Sequence, residues 1–378
     1  MATEAVAAPA PRLSAGKRLI ILTSRLWAWV FLALMITFFI IAVPVFSGGA
    51  TFFTVRNSQN ILNAIVPVLL LGLGQTFVII SAGIDLSVGW VMSLGSVISA
   101  HTIRASFNAG APLPAAVVLG FLGAAAGAAM VGFVNGVIIS KLKVPAFIVT
   151  LGTSFIVRGM ALLFSENTTV IGLPEGIRDY GNESMFYLIR GEGGGFYFLE
   201  PPGDLTGAMI RQMDRILSWP VIITVVVVAI CIFILRRTQF GRHTYAIGGN
   251  MQAALRAGIP VDRHLIRLYM LSAATAGIAG FLSTLRFTAG SAVIGDPLLL
   301  SSIAAVIIGG VSLFGGAGSI VGTIIGSLII AVLTTGLVML NVPAFWQFIV
   351  VGIVVILAVL IDQSRDLLLG RSRIGRSQ

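Results

Sequence analysis

Ten apolar runs, each near the length an α-helix needs to cross a bilayer, divide this chain. They cover roughly 26–46, 59–81, 87–104, 114–138, 146–165, 218–235, 268–286, 298–313, 318–340 and 344–362. In hydrocarbon every backbone N–H and C=O needs an internal partner, so runs of this kind close their bonds as helices. The third and eighth are short and interrupted by glycine, which predicts broken or tilted spans. With 57% hydrophobic and only 10% charged residues over 378 positions, a soluble domain is excluded. The expected fold is an all-α polytopic membrane protein of about ten transmembrane helices.

The net charge of +10 does not point to nucleic acid, because the basic residues sit in short segments flanking the apolar runs. That is the pattern by which cytoplasmic loops retain Lys and Arg. Arg12, Lys17, Arg18 and Arg25 put a tail of residues 1–25 in the cytoplasm, and alternation then puts every other basic cluster there too. These are Lys141 and Lys143, the segment 237–267 with Arg236 at its edge, and a tail of residues 363–378. The run 26–46 is too long for a signal-peptide core and is read as a retained first span. Residues 26–362 form the transmembrane domain of a multi-pass inner-membrane protein surrounded by lipid.

The segment 166–217 is external and holds eight of the 14 acidic residues. Gly193-Gly194-Gly195 and Pro201-Pro202 read as loop. Residues 205–217 offer either a solvated loop or a short amphipathic helix capped by Asp204, with Leu205, Met209, Met213 and Leu217 on one face.

Little here supports an enzyme. Cys231 is the only cysteine, and His101, His243 and His264 lack ligand spacing, so no metal site, cofactor or catalytic residue is expected. Gly316-Ala317-Gly318-Ser319 precedes an apolar run rather than a βαβ unit, and Gly16-Lys17-Arg18 lacks the rest of a phosphate loop.

Gly83-Ile84-Asp85-Leu86-Ser87-Val88-Gly89 puts a carboxylate between two apolar runs. Near hydrocarbon depth a carboxylate needs a partner, water or a function. One reading is a short turn with Asp85 capping the next helix. The other is broken backbone beside a watery path, with Gln75, Thr76, Asp85 and Ser87 lining a translocation pathway or its gate. Asn135 is a further polar group, read first as an interhelical hydrogen bonder. Arg158 lies about 12 Å beyond Thr150 along a helix, at membrane depth. It either snorkels outward or pairs with Asp85 or a carbonyl.

In the segment 237–267, Asn250 is a good N-cap, Met251 to Ala257 read as helix, Gly258 suits the left-handed position after it, and Pro260 stops continuation. A helix of about two turns is unstable alone in water. Ala253, Ala254 and Ala257 lie on one side, open to close approach by a partner. Small residues also repeat at i, i+4 in Gly123/Gly127, Gly132/Gly136 and Gly318/Gly322/Gly326, read as helix packing. Gly83-Ile84-Asp85-Leu86 and Gly295-Asp296-Pro297-Leu298 open the third and eighth spans, as an inverted repeat of spans 2–5 and 7–10 would require.

At these residues the chain resembles the permease subunits of bacterial ABC importers of the ribose/xylose/galactose type, over roughly 60–362. The likeness rests on Gly74-Gln75-Thr76, the segment 83–89, Asn135-Gly136, Pro145-Ala146-Phe147-Ile148-Val149-Thr150-Leu151-Gly152-Thr153 and Arg158-Gly159. It continues in Ala246-Ile247-Gly248-Gly249-Asn250, Ala253-Ala254, Gly258-Ile259, Gly309-Gly310-Val311-Ser312 and Gly315-Gly316. The resemblance implies a monosaccharide cargo and no ATP hydrolysis by this chain. It implies three protein partners: a second permease (a homodimer), a cytoplasmic ATP-binding subunit and a periplasmic sugar-binding protein. It also implies that residues 246–260, with Gly248, Gly249, Asn250, Ala253, Ala254, Ala257 and Gly258, couple to the ATPase. The rivals are a permease for branched-chain amino acids or another small polar solute, and a single-chain secondary transporter. The external segment 166–217 is longer than the family pattern.

Overall fold

The structure is a computed structural model and describes residues 15–190, 194–202 and 207–368. Five helices open the chain: α1 (Ala15–Phe46), α2 (Val55–Ile80), α3 (Val88–Asn108), α4 (Leu113–Lys141) and α5 (Ala146–Phe164). The next segment holds α6 (Ile177–Asn182), β1 (Ser184–Ile189), β2 (Gly195–Phe198), α7 (Gly207–Gln212) and β3 (Met213–Ser218). Then follow α8 (Trp219–Arg237), α9 (Gln239–Gly249), α10 (Met251–Arg256), α11 (Val261–Phe287), α12 (Asp296–Ile308), α13 (Ile320–Met339) and α14 (Ala344–Leu368).

All ten apolar runs lie on helices. Among the described residues seven helices are long and apolar enough to cross a membrane: α2, α4, α5, α8, α11, α13 and the Trp27–Phe46 part of α1. The short α12 has 13 residues and begins with proline in its first turn, where the missing N–H costs nothing. Helix α1 starts at Ala15, inside the segment expected to be tail, and α14 runs on to Leu368.

The core is built from α2, α3, α4 and α11, which bury a continuous cluster including Leu70, Phe77, Met92, Leu94, Tyr269 and Leu282. The element contacts come in matching pairs. Helix α11 packs on α3 and α4 as α2 packs on α12 and α13. Helix α3 packs on α4 and α5 as α12 packs on α13 and α14. The two halves meet through α2 against α11 and α3 against α12. The second meeting is close: a β-carbon on Gly89 would lie 2.7 Å from the Gly295 carbonyl oxygen, so the first turns of α3 and α12 cross with nothing between their backbones. Gly132 and Gly136 bring α4 onto α11 in the same way, and Gly322 and Gly326 bring α13 onto Gly309 and Ala305. Close approach between helices is what the i, i+4 glycines provide.

Residues 166–217 depart from the loop expected of them. They hold a three-stranded antiparallel sheet, ordered β2-β1-β3, beside α6 and α7. Of the loop and the helix offered for 205–217, a helix is present only over Gly207–Gln212, and Met213–Ser218 is a strand pairing with β1, Ser184 opposite Ser218 and Ile189 opposite Met213. Tyr187, Ile189 and Met213 form a small core there, and burying them on a sheet outweighs the helical pattern. Asp204 and Leu205 lie outside the described residues. The sheet packs on the start of α2 and α8, while α6 packs on α11.

Candidate functional site

Helix α2 ends early because its C-terminus is closed by backbone bonds of a left-handed turn. The Gly83 N–H donates to the Val78 carbonyl at 2.9 Å and the Ala82 N–H to the Ile79 carbonyl at 2.9 Å, with Ala82 at φ +63°. That is the double bond pattern of a Schellman ending, with alanine where glycine is usual, at a cost of about 1 kcal/mol. The chain then doubles back along α2 until α3 begins at Val88.

Asp85 sits in this break, 1% exposed. Its Oδ1 accepts from the Ser87 N–H at 3.0 Å and the Ser87 hydroxyl at 2.6 Å, and its Oδ2 accepts from the Ser272 hydroxyl at 3.0 Å. Its backbone carbonyl accepts from Gln75 Nε2 at 2.6 Å. Asn135 Nδ2 donates to Ser87 Oγ at 3.1 Å, and the Thr153 hydroxyl donates to Asn135 Oδ1 at 2.6 Å. One carboxylate therefore ties α2, the start of α3, α4, α5 and α11 into a single network. Three donors at the positive end of a helix satisfy the carboxylate without a cation. No lysine or arginine among the described residues lies within ion-pair distance of it.

Several expectations change here. Asp85 does not cap α3: the N-cap residue is Ser87, and the carboxylate reaches only the Ser87 N–H two residues on. Asp85 does not pair with Arg158. The Arg158 guanidinium carbon stands 4.8 Å from the Trp90 ring centroid, and Arg158 is exposed on the outer side of α5. Gln75, Thr76, Asp85 and Ser87 are all buried inside the chain. Thr76 bonds Thr323 of α13 at 2.6 Å rather than joining the Asp85 network. Gln75 Oε1 and Tyr269 Oη stay buried beside the break with no hydrogen-bond partner among the described residues.

The second cluster lies against the same C-terminal end of α2, where Gly248 meets Ile80. Asn250 Oδ1 accepts the Ala253 N–H at 2.9 Å, capping α10 as expected. The Gly258 N–H donates to Leu255 and the Ile259 N–H to Ala254, closing the C-terminus, with Gly258 at φ +78°. Ala254 faces its own chain, buried against Ile247, Val261 and Leu265. It is thus not on the open side with Ala253 and Ala257, which are exposed together with Met251 and Leu255. Gly249, the last residue of α9, has no atom within 4 Å of an added β-carbon.

Helix α9 is anchored hard. Gly248 lies on the Ile80 carbonyl, leaving no room for a β-carbon. The Gly316 N–H donates to that same carbonyl at 2.8 Å, and the Tyr245 hydroxyl donates to the Gly318 carbonyl at 2.8 Å. Burial pushes the Tyr245 phenol up from its ordinary value, so it remains a donor across the physiological range. Lys143 and Lys141 bridge to Asp262 at 2.8 and 3.5 Å, tying the end of α4 to the start of α11.

Sequence reasoning missed Ser272 and Thr153 as members of the network, and Trp90 as the partner of Arg158. It also missed the serines of α3. Ser93 accepts the Gly295 N–H at 3.0 Å, while Ser96 and Ser99 bond Thr284 at 2.8 and 2.9 Å. Their i, i+3 spacing in an apolar run was the available signal.

Comparison with known proteins places this geometry. A family profile described as "Branched-chain amino acid transport system / permease component" matches residues 57–359. The chain is 37% identical over 328 residues to the ribose import permease protein RbsC of Bacillus subtilis, covering 87% of this chain and 91% of the relative. It is 35% identical over 324 residues to the fructose import permease protein FrcC of Rhizobium meliloti, covering 86% and 82%. It is 35% identical over 369 residues to the xylose transport system permease protein XylH of Haemophilus influenzae, covering 88% and 94%. No solved structure matches the chain significantly. The chain is a multi-pass membrane protein that belongs to the family of transport-system permease components.

Proposed function

We propose that this chain is the membrane subunit of an ATP-binding-cassette importer for a monosaccharide, in the bacterial inner membrane. The observation that carries the reading is the pinned helix pair α9–α10, which leaves Met251, Ala253, Leu255 and Ala257 open on a helix too short to stand alone. A cytoplasmic ATP-binding subunit covers that side. Its movement passes through Gly248 to the end of α2, and from there to the Asp85 break. Gln75, Asp85 and Ser87 act as a latch of the gate, buried while it is shut. The unspent polar atoms Gln75 Oε1 and Tyr269 Oη support a network that re-forms with other partners when α2 moves.

The ten helices that carry the apolar runs span the membrane, with both termini cytoplasmic, and the matched contacts of α2–α5 and α11–α14 support an inverted repeat. Arg158 lies about 18 Å along α5 from Ala146, near mid-membrane. A guanidinium on the outer surface at that depth costs several kcal/mol unless water or protein covers it. A second copy of this chain does so, with the cargo path between the copies. A periplasmic sugar-binding protein delivers the cargo on the side of the sheet.

A secondary transporter fits less well, since Asp85 is sequestered and Arg158 has no carboxylate partner among the described residues. The test is uptake into proteoliposomes holding this chain with its ATPase and binding protein. ATP-dependent entry of a monosaccharide supports the reading. Entry of leucine instead, or entry without the ATPase, overturns it.

A further inference from the structure

At the sheet end, a cavity of about 360 Å³ opens between the start of α2, α6, β3 and the end of α11. That volume is in the range of small-molecule sites. Its wall carries Arg56, Arg215 and Arg286 but one carboxylate, Asp214, whose Oδ2 is held by Arg190 at 2.8 Å. Among the described residues the three guanidiniums donate to backbone carbonyls, Arg211 for Arg56, Asn182 for Arg215 and Asn63 for Arg286, and Arg286 also stands 5.6 Å from the Phe287 ring centroid; none of the three meets a carboxylate within ion-pair distance. Three like charges around a small space repel one another, and a neutral solute returns nothing for that cost. The same wall holds two buried polar atoms without partners among the described residues, Gln59 Nε2 and Ser184 Oγ, in residues 9% and 1% exposed. Gln59 is fixed in place because its Oε1 accepts the Leu217 N–H at 3.1 Å, and its NH₂ has no acceptor among the described residues.

We propose that this cavity binds a carboxylated monosaccharide, a uronic or aldonic acid, at the outer mouth of the permease. The guanidiniums take the carboxylate, for which their planar fork is suited. Asn60, Asn182, Gln59 and Ser184 take the hydroxyls. Amides and hydroxyls from α2, α6, β1 and β3 favour a polyhydroxy acid over a bare anion. The inference rests on the reading of the chain as a carbohydrate permease, and extends it to the charge of the cargo.

The experiment is calorimetric titration of the full chain in zwitterionic nanodiscs with D-galacturonate, D-galactose and inorganic phosphate. Galacturonate should bind at least about tenfold more tightly than either. The double variant Arg56→Gln/Arg215→Gln, melting like wild type, should lose that preference. Should that variant fail to fold, Gln59→Leu and the weakening of wild-type galacturonate binding by salt take its place. Equal binding of galactose overturns the acid, equal binding of phosphate overturns the sugar, and unchanged binding in the variants overturns the site. Displacement of galacturonate by anionic lipid at equal affinity marks a headgroup site and overturns it as well. Failure here with ATP-driven uptake of neutral sugars intact removes this inference alone. Absence of any sugar uptake removes the reading beneath it.

Discussion

Gly248 rests on the carbonyl oxygen of Ile80, the last residue of α2, with no space for a side chain between them. The same carbonyl accepts the Gly316 N–H, so three segments converge on one peptide group. About a turn and a half back along α2 from Ile80, Gln75 holds the Asp85 carbonyl. The α9 contact and the break therefore share the last turns of α2, the path along which the proposed coupling runs.

The Asp85 network should be sensitive to charge and to shape separately. Asp85→Ala strands the Ser87 and Ser272 hydroxyls and should destabilise the chain by about 3 kcal/mol, at the upper end for hydrogen bonds to a charged group. Asp85→Asn keeps an acceptor for Ser87 and should cost about half as much. Thermal melting in detergent orders the variants. Equal melting of wild type and Asp85→Ala would contradict the network as described.

Arg158 should behave in the opposite way. Its one described contact is the Trp90 ring, worth about 0.5–1 kcal/mol at an exposed site. Arg158→Ala should melt close to wild type yet lose most ATP-driven uptake if the charge serves the interface between copies proposed above. Unchanged uptake would return Arg158 to a packing role.

Docking should depend on the exposed side of α10. Leu255→Glu should leave insertion and melting intact and prevent co-purification of the ATP-binding subunit. Ala254→Glu buries a carboxylate among Ile247, Val261 and Leu265, a cost of several kcal/mol, and should unfold the helix pair itself. Co-purification undiminished in Leu255→Glu would move the ATPase elsewhere.

The positions of the apolar helices, the caps of α10 and the odd character of Asp85 were legible because each is local. Hydrocarbon enforces long helices, and Asn250, Gly258 and Pro260 act within a few residues. What was not legible is what depends on distant partners. Ala254 and Ala253 are neighbours on a short helix, and only the packing of Val261 and Leu265 decides that one is buried and the other open. Ser272 lies 187 positions from the carboxylate it serves, in an apolar run with nothing local to mark it. The strand 213–218 carries apolar residues that also fit a helical face, and its pairing with β1 chose between the two. For Arg158 the sequence leaves open an outward reach or a pairing with Asp85 or a carbonyl; the guanidinium is exposed and stands over an aromatic ring on the neighbouring α3.

The central claim is that motion at α9–α10 drives the break through the contact of Gly248 with Ile80. Gly248→Ala tests it in the assembled transporter, with ATP hydrolysis and cargo uptake measured on the same proteoliposomes. The account predicts that the complex assembles and hydrolyses ATP while uptake falls about tenfold or more, within the usual span of coupling energies. Wild-type uptake per ATP in Gly248→Ala would contradict it.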